Sequence, residues 1–272
     1  MDPAASAHGG APGVRLARAT APRAAAAPGA DLPSLATARE RAMGPRWRDV
    51  VVGGAEVLAV VLAAPLLRRR YNRWGAAPGE VTAALRGDDL VPEPQLGYTR
   101  AITIDASPDA VWRWLVQIGQ GRGGLYSFDA LENLFGCDLH SSDTIRPELQ
   151  QLQVGDEIRL APGAGAPVYE VAQIEPPSTL VLLGGGPQRP GDADDRGPHS
   201  TWQWVLRSQS GGLRTRLMVR QRLAYPRSQS VLWHLVEPVA FVMERRMLHG
   251  LARRAEGRPA PAHPRRRGRR SP

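Results

Sequence analysis

Few residues in this chain have the type and spacing that catalysis needs. His140 and Asp143 stand three apart in a polar stretch, with Asp129 and Glu132 upstream. An imidazole titrates near neutrality, so a histidine beside a carboxylate can act as general acid or base. The same residues can equally satisfy loop backbone, and no nucleophile or oxyanion hole accompanies them. His-x-x-Asp supplies at most two ligands where catalytic zinc takes about three, so no metal site is expected. Cys137 is the single cysteine, which excludes an intrachain disulfide and a cysteine zinc cluster. Gly119 to Gly124 reads GQGRGG and matches G-x-G-x-x-G. The residues before it carry a helical period where the dinucleotide fingerprint requires a strand, so it reads as a turn. No cofactor is implied.

The elements that would position these residues begin at Tyr98. Tyr98, Ile102 and Ile104 fall on one parity of a strand running to Asp105. Ser107 can cap a following helix, with Pro108 at its first position and Asp109 at the positive end of its dipole. Val111, Trp114, Leu115 and Ile118 mark its apolar face. A second short helix is expected over 127–135, then a polar loop over 136–153. From Val154 the period changes to two. Strands are expected over 157–160, 168–174, 179–184, 200–207 and 214–224, separated by turn formers such as Pro162-Gly163 and Gly211-Gly212. A closing helix runs from about Gln229 to Glu256. Val239, Met243, Met247 and Leu251 recur along it, and Pro238 is a candidate kink.

Outside this domain the composition shifts. Residues 1–45 are rich in Ala, Pro and Gly without a hydrophobic period and are expected to be disordered, with Met43 an alternative start. Residues 75–97 read as a linker. The net charge of +9 is uneven, since residues 252–272 hold eight Arg and one Glu. The segment 257–272 therefore reads as a basic disordered tail. Apart from it the chain is near neutral, and nucleic acid is not an expected partner. There is no lysine, so any single Arg says less than usual about anion recognition.

The apolar run Val50–Leu67 is 18 residues long. As a helix it would span about 27 Å, against about 30 Å of bilayer hydrocarbon. It predicts a transmembrane or anchoring helix, flanked by Arg68, Arg69, Arg70 and Arg73, with the folded domain on the cytoplasmic side. Glu56 and Pro65 oppose this reading. The alternatives are a cleaved leader, a helix docked on the domain, or a soluble cytoplasmic protein.

The order strand, two helices, about five strands and a long helix resembles the SRPBCC superfamily, the START/Bet v1-like group that includes polyketide cyclase/dehydrase and lipid transport proteins. The likeness is carried by ITIDASPDAVWRWLVQIGQGRGGLYSFDALENLFG, by HSSDTIRPELQQLQVGDEIRL and by EPVAFVMERRMLHGLARRAE, and covers about 98–256. It implies an α+β helix-grip fold, a curved antiparallel sheet wrapped around the C-terminal helix. The implied cavity between them would be walled by Trp114, Tyr126, Trp202, Trp204, Met243 and Met247, and would suit a flat or greasy ligand. Polar contacts to that ligand are expected from Gln117, Asp129 and Arg220, although Arg220 shares its strand face with Arg216 and Arg222. Together with the apolar run Val50–Leu67, such a pocket would suit a membrane-anchored protein that binds or carries a hydrophobic or aromatic small molecule or lipid without enzymatic activity. The alternative is an aromatase/cyclase-type enzyme in which His140 or Tyr126 moves a proton.

Overall fold

The computed structural model describes residues 45–134, 136–163, 166–185 and 198–258. The disorder expected over 1–45 and over the tail falls almost wholly outside them, as does Phe135. The elements are α1 (Pro45–Tyr71), α2 (Pro78–Thr82), β1 (Leu96–Ile104), α3 (Pro108–Leu115), α4 (Asp129–Leu134), β2 (Glu157–Arg159), β3 (Val168–Glu175), β4 (Thr179–Gly184), β5 (His199–Gln209), β6 (Arg214–Ala224) and α5 (Ser230–Ala255).

The strands form one antiparallel sheet in the order β1-β6-β5-β4-β3-β2. The register follows the period of two. Leu217 and Val219 of β6, Trp202, Trp204 and Leu206 of β5, and Leu180 and Leu182 of β4 face one side. There they pack against Val111 and Leu115 of α3 and Met247, Leu248 and Leu251 of α5. A bulge between Val171 and Gln173 bends β3 and adds curvature. The β5–β6 turn depends on Gly211 and Gly212, at φ of 66° and 94°, where a Cβ would be strained. The α+β helix-grip expectation is borne out: a curved, unclosed sheet holds a long C-terminal helix.

Ser107 accepts a hydrogen bond from the Ala110 amide and caps α3, with Pro108 at its first position, as its sequence predicts. α5 is continuous through Pro238. Its buried row is Glu237, Phe241, Glu244, Leu248 and Leu251. A strict four-residue repeat drifts about 40° per step around a helix of 3.6 residues per turn. Val239 and Met243 are therefore only half-buried, while Met247 is buried.

The transmembrane expectation is corrected. Among the described residues no helix is long and apolar enough to cross a membrane. α1 instead docks on the domain. Val57, Val60, Ala64 and Tyr71 form a stripe that packs with Phe128, Leu131, Phe241 and Val242. A stripe of this kind needs protein on one side only, and Glu56 interrupts the apolar run. Beyond α1, the backbone of Asn72 and Trp74 accepts hydrogen bonds from Thr99 and Ala101, which covers the exposed edge of β1.

Residues 75–92 cross the outer face of the sheet, held by three arginines of β6. Arg216 reaches the Glu80 carboxylate and the Gly75 carbonyl, and Arg222 reaches the carbonyls of Val91 and Pro92. Arg220 spends all five of its N–H donors, on Thr99 Oγ1, the Asp88 carboxylate and the carbonyls of Glu80, Val81 and Ala83.

Candidate functional site

On its inner face the grip is apolar at the centre and polar toward the start of α5. At the centre, Trp202 and Trp204 stand with ring centroids 4.9 Å apart, and Tyr169 lies 5.8 Å from Trp202. Trp204 is fully buried, and its indole N–H has no hydrogen-bond partner among the described residues.

The polar part centres on Glu244 of α5. Its carboxylate accepts from Arg100 Nη1 at 2.6 Å, Trp202 Nε1 at 3.0 Å and the Tyr98 hydroxyl at 3.2 Å. Arg100 lies 3.6 Å over the Tyr98 ring and donates Nε to the Tyr71 carbonyl. Gln221 pairs through its oxygen with Tyr98 and donates to the Tyr169 hydroxyl at 3.0 Å, which also accepts from Ser200 at 3.1 Å. Burial, with the Glu244 carboxylate adding to it, pushes the Tyr98 phenol well above its ordinary value. Burial also raises Tyr169. Both phenols are therefore neutral hydroxyls at physiological pH. Arg100 Nη2 is buried and has no hydrogen-bond partner among the described residues. The arrangement can hold a polar group by hydrogen bonding beside aromatic walls, and its one serine hydroxyl, Ser200, is spent on Tyr169.

The residues singled out from the sequence are partly gathered here. Trp202, Trp204 and Met247 lie in the grip interior, with Trp114 packed against that core. Tyr126 is buried and donates to the Trp114 carbonyl at 3.0 Å, with Arg254 over its ring at 4.6 Å. Burial pushes its phenol up to about 12, which withholds the proton at neutral pH. Met243 meets this region through its carbonyl, which accepts from Ser127.

The remaining residues lie elsewhere. Gln117 is fully buried and staples the loop, donating to the Thr144 carbonyl and accepting from the Arg146 amide. Asp129 accepts from both the amide and the hydroxyl of Ser141. Arg220 is on the outer face, under the segment 75–92. His140 is exposed and pairs with Asp138 at 3.1 Å, whereas Asp143 pairs with Arg254 at 2.8 Å. His140 and Asp143 thus take different partners. No group of three or more His, Cys, Asp and Glu side chains is placed to hold a metal among the described residues.

Two hollows are open to solvent. One, of about 430 Å³, lies where 72–88 meets β1 and β6, and includes Arg73, Arg222 and Asp88. The other, of about 480 Å³, lies between α1, α5 and β1, and includes Glu56, Arg245, Arg253 and His249. Partial burial and the field of Arg245, Arg253 and Arg246 hold His249 below its ordinary value.

Arg100, Glu244, Tyr98, Tyr169, Gln221 and Ser200 escaped the sequence reading. Two signals were available. Arg100 has the parity of Tyr98, Ile102 and Ile104, so a charge falls on the core face of β1. Glu244 falls between Phe241 and Leu248, so an acid falls in the buried row of α5.

No family model matches the sequence, and no curated protein matches it. Solved structures do resemble it. Protein MLL2253 from Mesorhizobium loti is 17% identical over 60% of this chain and all of its own, with a TM-score of 0.35. The Aha1 dimer from Colwellia psychrerythraea is 15% identical over 61% of this chain and all of its own, with a TM-score of 0.36. CalU16 from Micromonospora echinospora is 18% identical over 61% of this chain and 78% of its own, with a TM-score of 0.34.

Proposed function

We propose that the domain is a non-enzymatic binding protein for an amphipathic small molecule or lipid, held in the grip between the sheet and α5. The observation that carries this is the unpartnered Arg100 Nη2 within a buried polar cluster that adjoins Tyr169 and Trp202. A buried donor without an acceptor costs about 1–3 kcal/mol, and a ligand oxygen in its reach would recover it. Glu244 already neutralises Arg100, so the fitting group is a neutral acceptor, a carbonyl or hydroxyl, more than a carboxylate. Neither hollow reaches Trp202 or Trp204, which are buried, so the sheet and α5 would part to admit the ligand, whose apolar part then leaves water at about 25 cal/mol per Å².

The test is native mass spectrometry of the purified full chain, together with tryptophan fluorescence titrations against fatty alcohols, fatty acids and polycyclic aromatic ketones. A co-purified mass and saturable quenching are expected, both lost in Arg100→Met/Glu244→Met, which removes the two charges together. Absence of a bound mass and of quenching across all three classes overturns the reading.

A further inference from the structure

We propose that the outward faces of α1 and of the first turns of α5 form a docking surface for an anionic lipid bilayer. The protein would lie on the interface there and not cross it. This does not depend on the ligand reading above.

Large aliphatic side chains that elsewhere build the core stand in solvent on these two helices. Leu58, Leu62 and Leu66 follow one another at four-residue spacing on α1, with Leu62 74% and Leu66 89% exposed. On α5, Val231 is 74% exposed, and Leu232 and Leu235 are also exposed. One seam joins the two helices, where Arg68 pairs with Glu237 at 2.9 Å; from it Leu66 and Leu62 lead back along α1 and Leu235 and Val231 lead back along α5. An exposed apolar patch rimmed by charge marks an interaction site.

Charge selects the occupant. Arg69 and Arg70 in the last turn of α1, Arg73 just after it and Arg227 just before α5 are exposed. No acid occurs between Val57 and Arg73 or between Arg227 and Val236, and the nearby Glu237 is buried against Arg68. A second copy would bring the same arginines face to face and be repelled. Anionic headgroups complement them, with the leucines reaching the acyl boundary. The helix cannot be surrounded by lipid without losing its other face. Val57, Val60 and Ala64 pack on the domain, and Tyr71 stacks on Phe241 at 5.3 Å.

Vesicle flotation of the full chain tests this, with phosphatidylcholine alone and with phosphatidylglycerol added. Binding is expected only to the anionic vesicles, with release by high salt and by alkaline carbonate. Leu62→Asp/Leu66→Asp/Val231→Asp should abolish it while the circular dichroism spectrum and urea midpoint stay unchanged. Arg69→Gln/Arg70→Gln should weaken it about thirtyfold. These variants keep the basic tail, so binding that survives the triple substitution belongs to the tail and overturns the proposal. Equal binding to both vesicle types, no binding, or retention in carbonate also overturns it. So does self-association of the parent chain that the triple substitution abolishes.

Discussion

Arg100 of β1 and Glu244 of α5 meet at 2.6 Å with side chains 0% and 5% exposed, 144 residues apart in the chain. The pair joins sheet to helix, and Arg100 Nε extends the tie to the end of α1 at Tyr71. Burying two charges is costly, and the attraction between them recovers that cost only while both are present.

Removing one partner should therefore hurt more than removing both. Arg100→Met or Glu244→Met is expected to cost about 3–5 kcal/mol, because the remaining charge is buried and unpaired. The double variant should cost less than either single one, about 1–3 kcal/mol, since it still leaves the Trp202 indole N–H without its acceptor. Urea unfolding of the three variants checks this double-mutant cycle.

Gly250 lets α5 approach the loop at Tyr126. A Cβ there would sit 2.1 Å from the Tyr126 carbonyl oxygen, and Tyr126 itself is held at φ 57°. Alanine in place of a helical glycine ordinarily stabilises by about 1 kcal/mol. Here Gly250→Ala should instead destabilise by about 1–3 kcal/mol, as overpacking does. A lowered thermal midpoint is the readout, and a raised one contradicts the close packing.

Glu132 of α4 is buried, and among the described residues neither carboxylate oxygen has a hydrogen-bond partner of good geometry. Burial, then the Asp129 carboxylate, pushes it up from 4.5 to about 7. Below pH 4.5 both folded and unfolded forms carry the proton, and Glu132 has no effect. As pH rises from about 4.5 to about 7 the unfolded chain ionises first, and the fold loses up to about 3 kcal/mol. Glu132→Gln should stabilise the protein by a similar amount at pH 8 and by little at pH 4. Urea midpoints at the two pH values measure the difference.

Arg220 anchors residues 75–92 to the sheet. Arg220→Met leaves the buried Thr99 hydroxyl and the half-buried carbonyls of Glu80, Val81 and Ala83 without their donor and is expected to cost about 3 kcal/mol. Arg220→Lys should rescue little, since an ammonium has three donors and no fork. Limited proteolysis should cut the variant first between 75 and 92. Unchanged cleavage would show that other contacts hold the segment.

Local periodicity carried most of what is legible along the chain. The alternation of Trp202, Trp204 and Leu206 and the turn formers between strands located the six strands within a few residues. Ser107-Pro108 located the start of α3. Such signals are readable because one face of each element is buried, and the backbone period repeats that fact along the chain. The opposite placements of Arg220 and Arg100 were decided by tertiary structure. Arg220 sits on the polar parity of β6, yet it is buried, because a segment called a linker folds back over it. Arg100 sits on the core parity of β1, and its burial is tolerable only because Glu244, distant in sequence, arrives on α5. The run Val50–Leu67 divides in the same way. Its helical length was legible, but its place against Phe128 and Phe241 depends on whether a protein surface is near enough to take one stripe, which a linear pattern does not encode.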